Sequence, residues 1–119
     1  MPHLTVEYTN NLSLHSDPTT LVRLNKLLVA TGHFDEADIK TRTVRLDSFA
    51  IGTSERQRAF AHTKLAILSG RTEAVKSSLS QVLLEALPKL FSPHPGVEVQ
   101  FCVEVLDIDR NSYAKSIDA

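Results

Sequence analysis

Polar and apolar residues alternate from His3 to Tyr8, with Leu4, Val6 and Tyr8 on one parity and His3, Thr5 and Glu7 on the other. A period of two predicts a strand with one buried face. Thr9 to Ser16 is mostly polar and reads as a loop. Asp17-Pro18 then predicts a helix start, with Asp17 as N-cap and Pro18 at the first helical position. Leu21, Leu24, Leu27 and Leu28 recur at helical spacing, and Gly32 suits the helix end. A second strand is expected from about Ile39 to Asp47, with Val44 and Leu46 on one face. Ser48 to Arg58 is a mixed connector, and Ala59 to Leu68 a third strand. After the Ser69-Gly70-Arg71 turn, Thr72 is a plausible N-cap for a helix marked by Val75, Leu79, Val82, Leu83, Ala86, Leu87 and Leu90. Pro88 should kink or end that helix, because proline lacks the donor and clashes with the preceding turn. Ser92 to Gly96 is a loop, and the alternation from Val97 to Val105 gives a fourth strand, followed by a short polar tail after Asp107.

The order is βαββαβ, an α+β chain. Each helix is a crossover, so the two strands it joins should be parallel. Both helices should cover one face of a four-stranded sheet. The other face would present His3, Thr5, Glu7, Glu98, Gln100, Cys102 and Glu104, together with His62 and Lys64. That face is too polar for a second helix layer; it either meets water or packs against copies of itself.

The 119 residues make one domain, 1–119, with 42% apolar and 23% charged residues. Such a composition excludes a disordered or collagen-like chain. Thirteen basic against fourteen acidic residues leave a net charge of −1, which argues against a broad grip on nucleic acid. The lone cysteine, Cys102, allows no internal disulfide and fits a reducing compartment. No apolar run reaches the ~18–20 residues that span a bilayer. The opening MPHLTVEYTN carries no secretion signal, so a cytoplasmic protein is expected.

Few residues offer chemistry. There is no glycine-rich phosphate loop, and the five histidines show no metal-ligand spacing with Cys102 or a carboxylate. Cys102 reads as a small packing residue, since the neighbouring Glu104 would raise a thiol pKa. His62 reads as a strand residue with bonded nitrogens. Position 2 differs. Trimming of Met1 would leave Pro2 with a free secondary amine, whereas with Met1 in place its nitrogen is an amide. An α-amino group titrates near ~8, and burial beside cations brings it towards neutrality, where it can serve as a general base. Pro2 directly opens the first strand, so its nitrogen would be held by the sheet. Lys40 and Arg42 share a face of the second strand at the end of the Val44 and Leu46 side, with Arg45 opposite. Arg71 precedes a helix N-terminus, a place that attracts anions.

The segments MPHLTVEYTNNL, LLVATGHF, IKTRTVRLD, AFAHTKLAILSGRT and VQFCVEV, in this order and spacing, resemble the tautomerase superfamily. Within it they are most similar to the 5-carboxymethyl-2-hydroxymuconate delta-isomerases of aromatic (homoprotocatechuate) catabolism, and the likeness runs roughly from Met1 to Asp109. The resemblance implies a tautomerase/MIF-like fold, two helices on one face of a mixed sheet, a homotrimer, and cofactor-free isomerisation of a small-molecule carboxylate. It implies Pro2 as catalytic base, with Arg71 and Lys40 or Arg42 as substrate-binding residues. Lys40 stands where relatives tend to have arginine, and a lysine cannot grip a carboxylate with a planar fork. Phe49, Phe60 and Tyr113 are the candidates for aromatic walls. Two other readings remain: a tautomerase acting on a smaller 2-hydroxydienoate or phenylpyruvate-like substrate, and a non-enzymatic trimeric interaction protein.

Overall fold

In the computed structural model, which describes residues 1–119, the elements form in the predicted order. They are β1 (His3–Thr9), α1 (Thr19–Ala30), β2 (Lys40–Leu46), β3 (Arg58–Leu68), α2 (Glu73–Ala86) and β4 (Glu98–Ile108). The sheet order is β2-β1-β3-β4. β1 runs parallel to β2, and β3 parallel to β4, as helical crossovers require. The two halves meet through the antiparallel β1–β3 pair.

Local chemistry sets the helix ends. The Asp17 carboxylate accepts both the Thr19 N–H and the Thr19 hydroxyl at 2.9 Å, so it caps α1 although regular helix begins two residues later. Gly32 follows α1 at φ +81°, a conformation that suits a residue without Cβ, and its N–H returns to the Val29 carbonyl at 3.0 Å. The Thr72 hydroxyl accepts the Val75 N–H at 3.2 Å and caps α2. α2 stops at Ala86, and Leu87–Leu90 continues as a 3-10 turn containing Pro88.

The core lies between the sheet and the helices. Leu4 and Val6 of β1 and Ala59, Ala61, Leu65 and Ile67 of β3 face Leu24 and Leu28 of α1 and Leu79 and Leu83 of α2, all buried. Tyr8 packs with them and meets Phe91, ring centroids 5.5 Å apart.

In β2, register pairs Lys40, Arg42, Val44 and Leu46 with His3, Thr5, Glu7 and Thr9, which puts Lys40, Arg42 and Val44 over the open, polar face. Val44 is 43% exposed there. The helix side of β2 instead carries Thr41, whose hydroxyl meets Asn25 of α1. Parity fixed which residues travel together, but only pairing with β1 decides which face they take.

The open face is polar: Lys64 forms an ion pair with Glu7 at 2.8 Å, and His62 Nε2 hydrogen-bonds Glu104 at 3.0 Å. Cys102, paired with His62 in register, is exposed here and packs against no helix, unlike the packing residue expected. The chain exposes 7429 Å², against roughly 6,400 Å² for a typical monomer of its mass. Its radius of gyration, 15.5 Å, likewise exceeds the ~13.5 Å expected for its length. No helix is long and apolar enough to cross a membrane.

Candidate active site

Strand pairing pins the start of the chain. The Lys40 N–H donates to the Pro2 carbonyl at 3.1 Å, so β2 grips residue 2 as well as β1 proper. The Pro2 ring is fully buried. Beside it opens a cleft of about 330 Å³ lined by Met1, Pro2, Phe34, Asp38, Leu68 and Arg71 among others.

Arg71 reaches this cleft from the turn between β3 and α2, which Gly70 makes at φ +120°. Two contacts hold its guanidinium. One nitrogen donates to the His33 carbonyl at 2.9 Å, and the group lies 5.1 Å from the centre of the Phe34 ring, within cation–π range. Lys40 arrives from the first position of β2, and its ammonium donates to the Asp38 carbonyl at 2.7 Å. Arg42, two residues on, is directed elsewhere. It donates to the Thr5 hydroxyl at 3.2 Å and to His3 Nδ1 at 3.3 Å. An arginine can only donate, so the neutral His3 ring carries its proton on Nε2 and gives it to the Tyr113 hydroxyl, 2.9 Å away. Burial, then the charges of Arg42 and Lys40, hold the His3 pKa below its ordinary value.

Sequence reasoning missed two groups. Asp38, in the 3-10 turn Glu36–Asp38 before β2, brings a carboxylate to the cleft. Lys115 comes back from the C-terminal segment, its ammonium 2.8 Å from Asp38 Oδ1 and 3.6 Å from the Met1 sulfur. Neither position has a periodicity or motif to mark it; Lys115 reads as part of a polar tail. None of the aromatic candidates lines the cleft: Tyr113 meets His3, and Phe49 and Phe60 pair edge to face at 6.4 Å towards the opposite end of β1.

The terminal amine, on Met1 in this chain, titrates below the usual α-amino value. Burial is the largest cause; Lys40, Lys115 and Arg71 lower it further, and Asp38 opposes them. The cleft therefore offers an amine poised towards its neutral form, surrounded by fixed positive charge: a place to move a proton on an anionic substrate. A more apolar cleft of about 410 Å³, between α1 and the end of α2, holds Leu24, Leu27 and Leu90 under Arg23, Lys26 and Lys89. It contains neither the amine nor any group that perturbs it.

This fold, with a basic cleft at the chain start, defines a member of the tautomerase superfamily. Residues 2–116 match the model of the 5-carboxymethyl-2-hydroxymuconate isomerase family. The chain belongs to that family and is an isomerase. It is 29% identical over 93 residues to 5-carboxymethyl-2-hydroxymuconate Delta-isomerase of Escherichia coli, covering 77% of this chain and 74% of that protein. The crystal structure of a 5-carboxymethyl-2-hydroxymuconate isomerase from Deinococcus radiodurans R1 superposes with a TM-score of 0.83 at 30% identity, covering 98% of this chain and 90% of that one. A fused 4-OT described as a symmetric trimer shares the fold, with a TM-score of 0.71 at 18% identity over 96% of this chain and 91% of that one.

Proposed function

We propose that the chain, with Met1 removed, ketonises 5-carboxymethyl-2-hydroxymuconate without a cofactor, using the Pro2 nitrogen as general base. The observation that carries this reading is the convergence of three cations on the first two residues: Arg71 lines the cleft with Met1 and Pro2, Lys40 bonds the Pro2 carbonyl through its N–H at 3.1 Å, and the Lys115 ammonium lies 3.6 Å from the Met1 sulfur. The proposed substrate is a dienol with three carboxylates. Pro2 takes the 2-hydroxyl proton, the electron pair moves through the conjugated system, and the protonated amine returns a proton to a distal carbon. One O–H bond is broken and one C–H bond formed, with no change in oxidation state. Arg71 and Lys40 hold carboxylates and stabilise the negative charge that develops on the dienolate. The same cations favour the unprotonated amine, so one cluster binds the substrate and tunes the base. Arg42 acts one step back, holding the His3 ring that bonds Tyr113.

We also infer a homotrimer that covers the open sheet face. The excess exposed surface, the exposed Val44 and Leu106 on the outer strands, and the trimeric state named for the 4-OT relative support it. A single cysteine, Cys102, with no partner in the chain for a disulfide fits a reducing, cytoplasmic setting.

The substrate reading is tested by comparing the tricarboxylate with a monocarboxylate enol such as phenylenolpyruvate. Two further charge-assisted contacts of roughly 1.4 kcal/mol each predict a kcat/KM about a hundredfold higher on the tricarboxylate. Equal or better turnover of the monocarboxylate would instead favour a smaller physiological substrate, the reading that Lys40 in place of an arginine fork supports.

A further inference from the structure

We propose that Lys115 is a positioning residue of this site: folded back from the C-terminal segment, it neutralises the Asp38 carboxylate inside the cleft and keeps the cleft net positive for an anionic substrate. The inference rests on the base-and-cation reading above and adds to it a segment with no regular secondary structure.

The segment after β4 is tied down at successive points. The Asp109 carboxylate accepts the Asn111 N–H at 2.9 Å and the Asp109 carbonyl the Ser112 N–H at 3.2 Å, which turns the chain. Tyr113 is then anchored on His3 of β1, ring against ring and hydroxyl against Nε2. Lys115 ends the run on Asp38, with its side chain only 23% exposed. A lysine held at 2.8 Å from a carboxylate, away from most solvent, is more than a mobile surface charge.

Charge explains why it matters. The charged and titratable groups around the terminal amine are Lys40 from β2, Arg71 from the turn before α2, Asp38 from the 3-10 turn, Lys115 from the C-terminal segment, and His3, the first residue of β1 itself. Asp35 and His33, from the connection after α1, also line the cleft. Without Lys115, the positive charges of Lys40 and Arg71 are matched by Asp35 and Asp38. With it, the balance is positive. Asp38 is also the one group that raises the amine pKa, and its pairing with Lys115 keeps the Asp38 pKa below its usual range. Losing Lys115 therefore removes a cation and leaves a bare carboxylate beside the base. Both changes favour the protonated amine.

The test is a titration of the terminal nitrogen by ¹⁵N NMR in mature protein, alongside steady-state kinetics on the tricarboxylate. In Lys115→Ala the amine pKa should rise by about 1 unit. The KM should rise about tenfold. In the double variant Lys115→Ala with Asp38→Asn, both values should return close to the parent, and Lys115→Arg alone should leave both nearly unchanged, which separates charge from loss of folding. An amine pKa that stays put in Lys115→Ala overturns the inference. So does a double variant as impaired as the single one, since that would mean Lys115 touches substrate directly. The titration needs no turnover, so a failure of Pro2 as base, seen as a fully active Pro2→Ala protein, is distinguishable from a failure of this role.

Discussion

Replacing Pro2 by alanine in the mature chain is expected to lower kcat on the dienol about a hundredfold or more, within the range a positioned general base contributes. The loss arises from direction as much as basicity. The Pro2 ring is fully buried beside the cleft, so a ring nitrogen would be held in place, whereas alanine leaves a primary amine that rotates freely. The backbone bond from Lys40 N–H to the residue-2 carbonyl is kept, so the fold and the mass of the proposed trimer by light scattering should not change. The parent enzyme should also show the ionisation of the base. Only the neutral amine accepts a proton, so kcat/KM should fall as pH drops through the amine pKa. Burial and the neighbouring cations lower the Met1 amine from its ordinary value, and the same surroundings should hold the limb of the trimmed chain below the usual α-amino value near ~8. Retention of the parent kcat in Pro2→Ala would remove proline from the mechanism.

Arg71→Ala should have an effect of similar size for a different reason. Its guanidinium is held by the His33 carbonyl and the Phe34 ring, so little ordering is left to complete when a carboxylate arrives. A charge-assisted contact contributes ~1.5–3 kcal/mol, and a two-pronged one more. We expect kcat/KM on the tricarboxylate to fall between about 10² and 10³-fold, with kcat reduced as well as KM raised, because the dienolate charge grows in the transition state. The acid limb should also move to higher pH, since a cation that disfavours the protonated amine has gone. Arg71→Lys should recover part of the loss. A rise in KM alone, with kcat and the pH profile unchanged, would show that Arg71 only anchors the substrate.

Much of the fold could be read from the chain because local signals and burial agreed. The Leu4–Val6–Tyr8 parity, the Asp17 and Thr72 caps and the Pro88 break each have a local physical cause, and each took effect where expected. β2 is instructive in the other direction. Its alternation is real, but Val44 faces away from the helices and is exposed, because parity alone does not say which face an edge strand turns to the core. The same split runs through the site. Pro2, Lys40 and Arg71 meet because strand pairing and a glycine turn deliver them to one end of the sheet. Arg42 belongs to the same strand face yet is drawn off by His3 and Thr5. Asp38 and Lys115 lie 77 positions apart and share no pattern, so only the folded chain brings them together.

Proton transfer by Pro2 requires its nitrogen to be a free amine. Intact-mass measurement of the protein from its natural source, joined to a turnover assay on separated mature and Met1-bearing forms, addresses it directly. The predicted result is a chain lacking Met1 that carries essentially all the isomerase activity, with the Met1-bearing form inert because its Pro2 nitrogen is an amide. A natural protein that keeps Met1, or a Met1-bearing form that turns over as fast as the trimmed one, would contradict it.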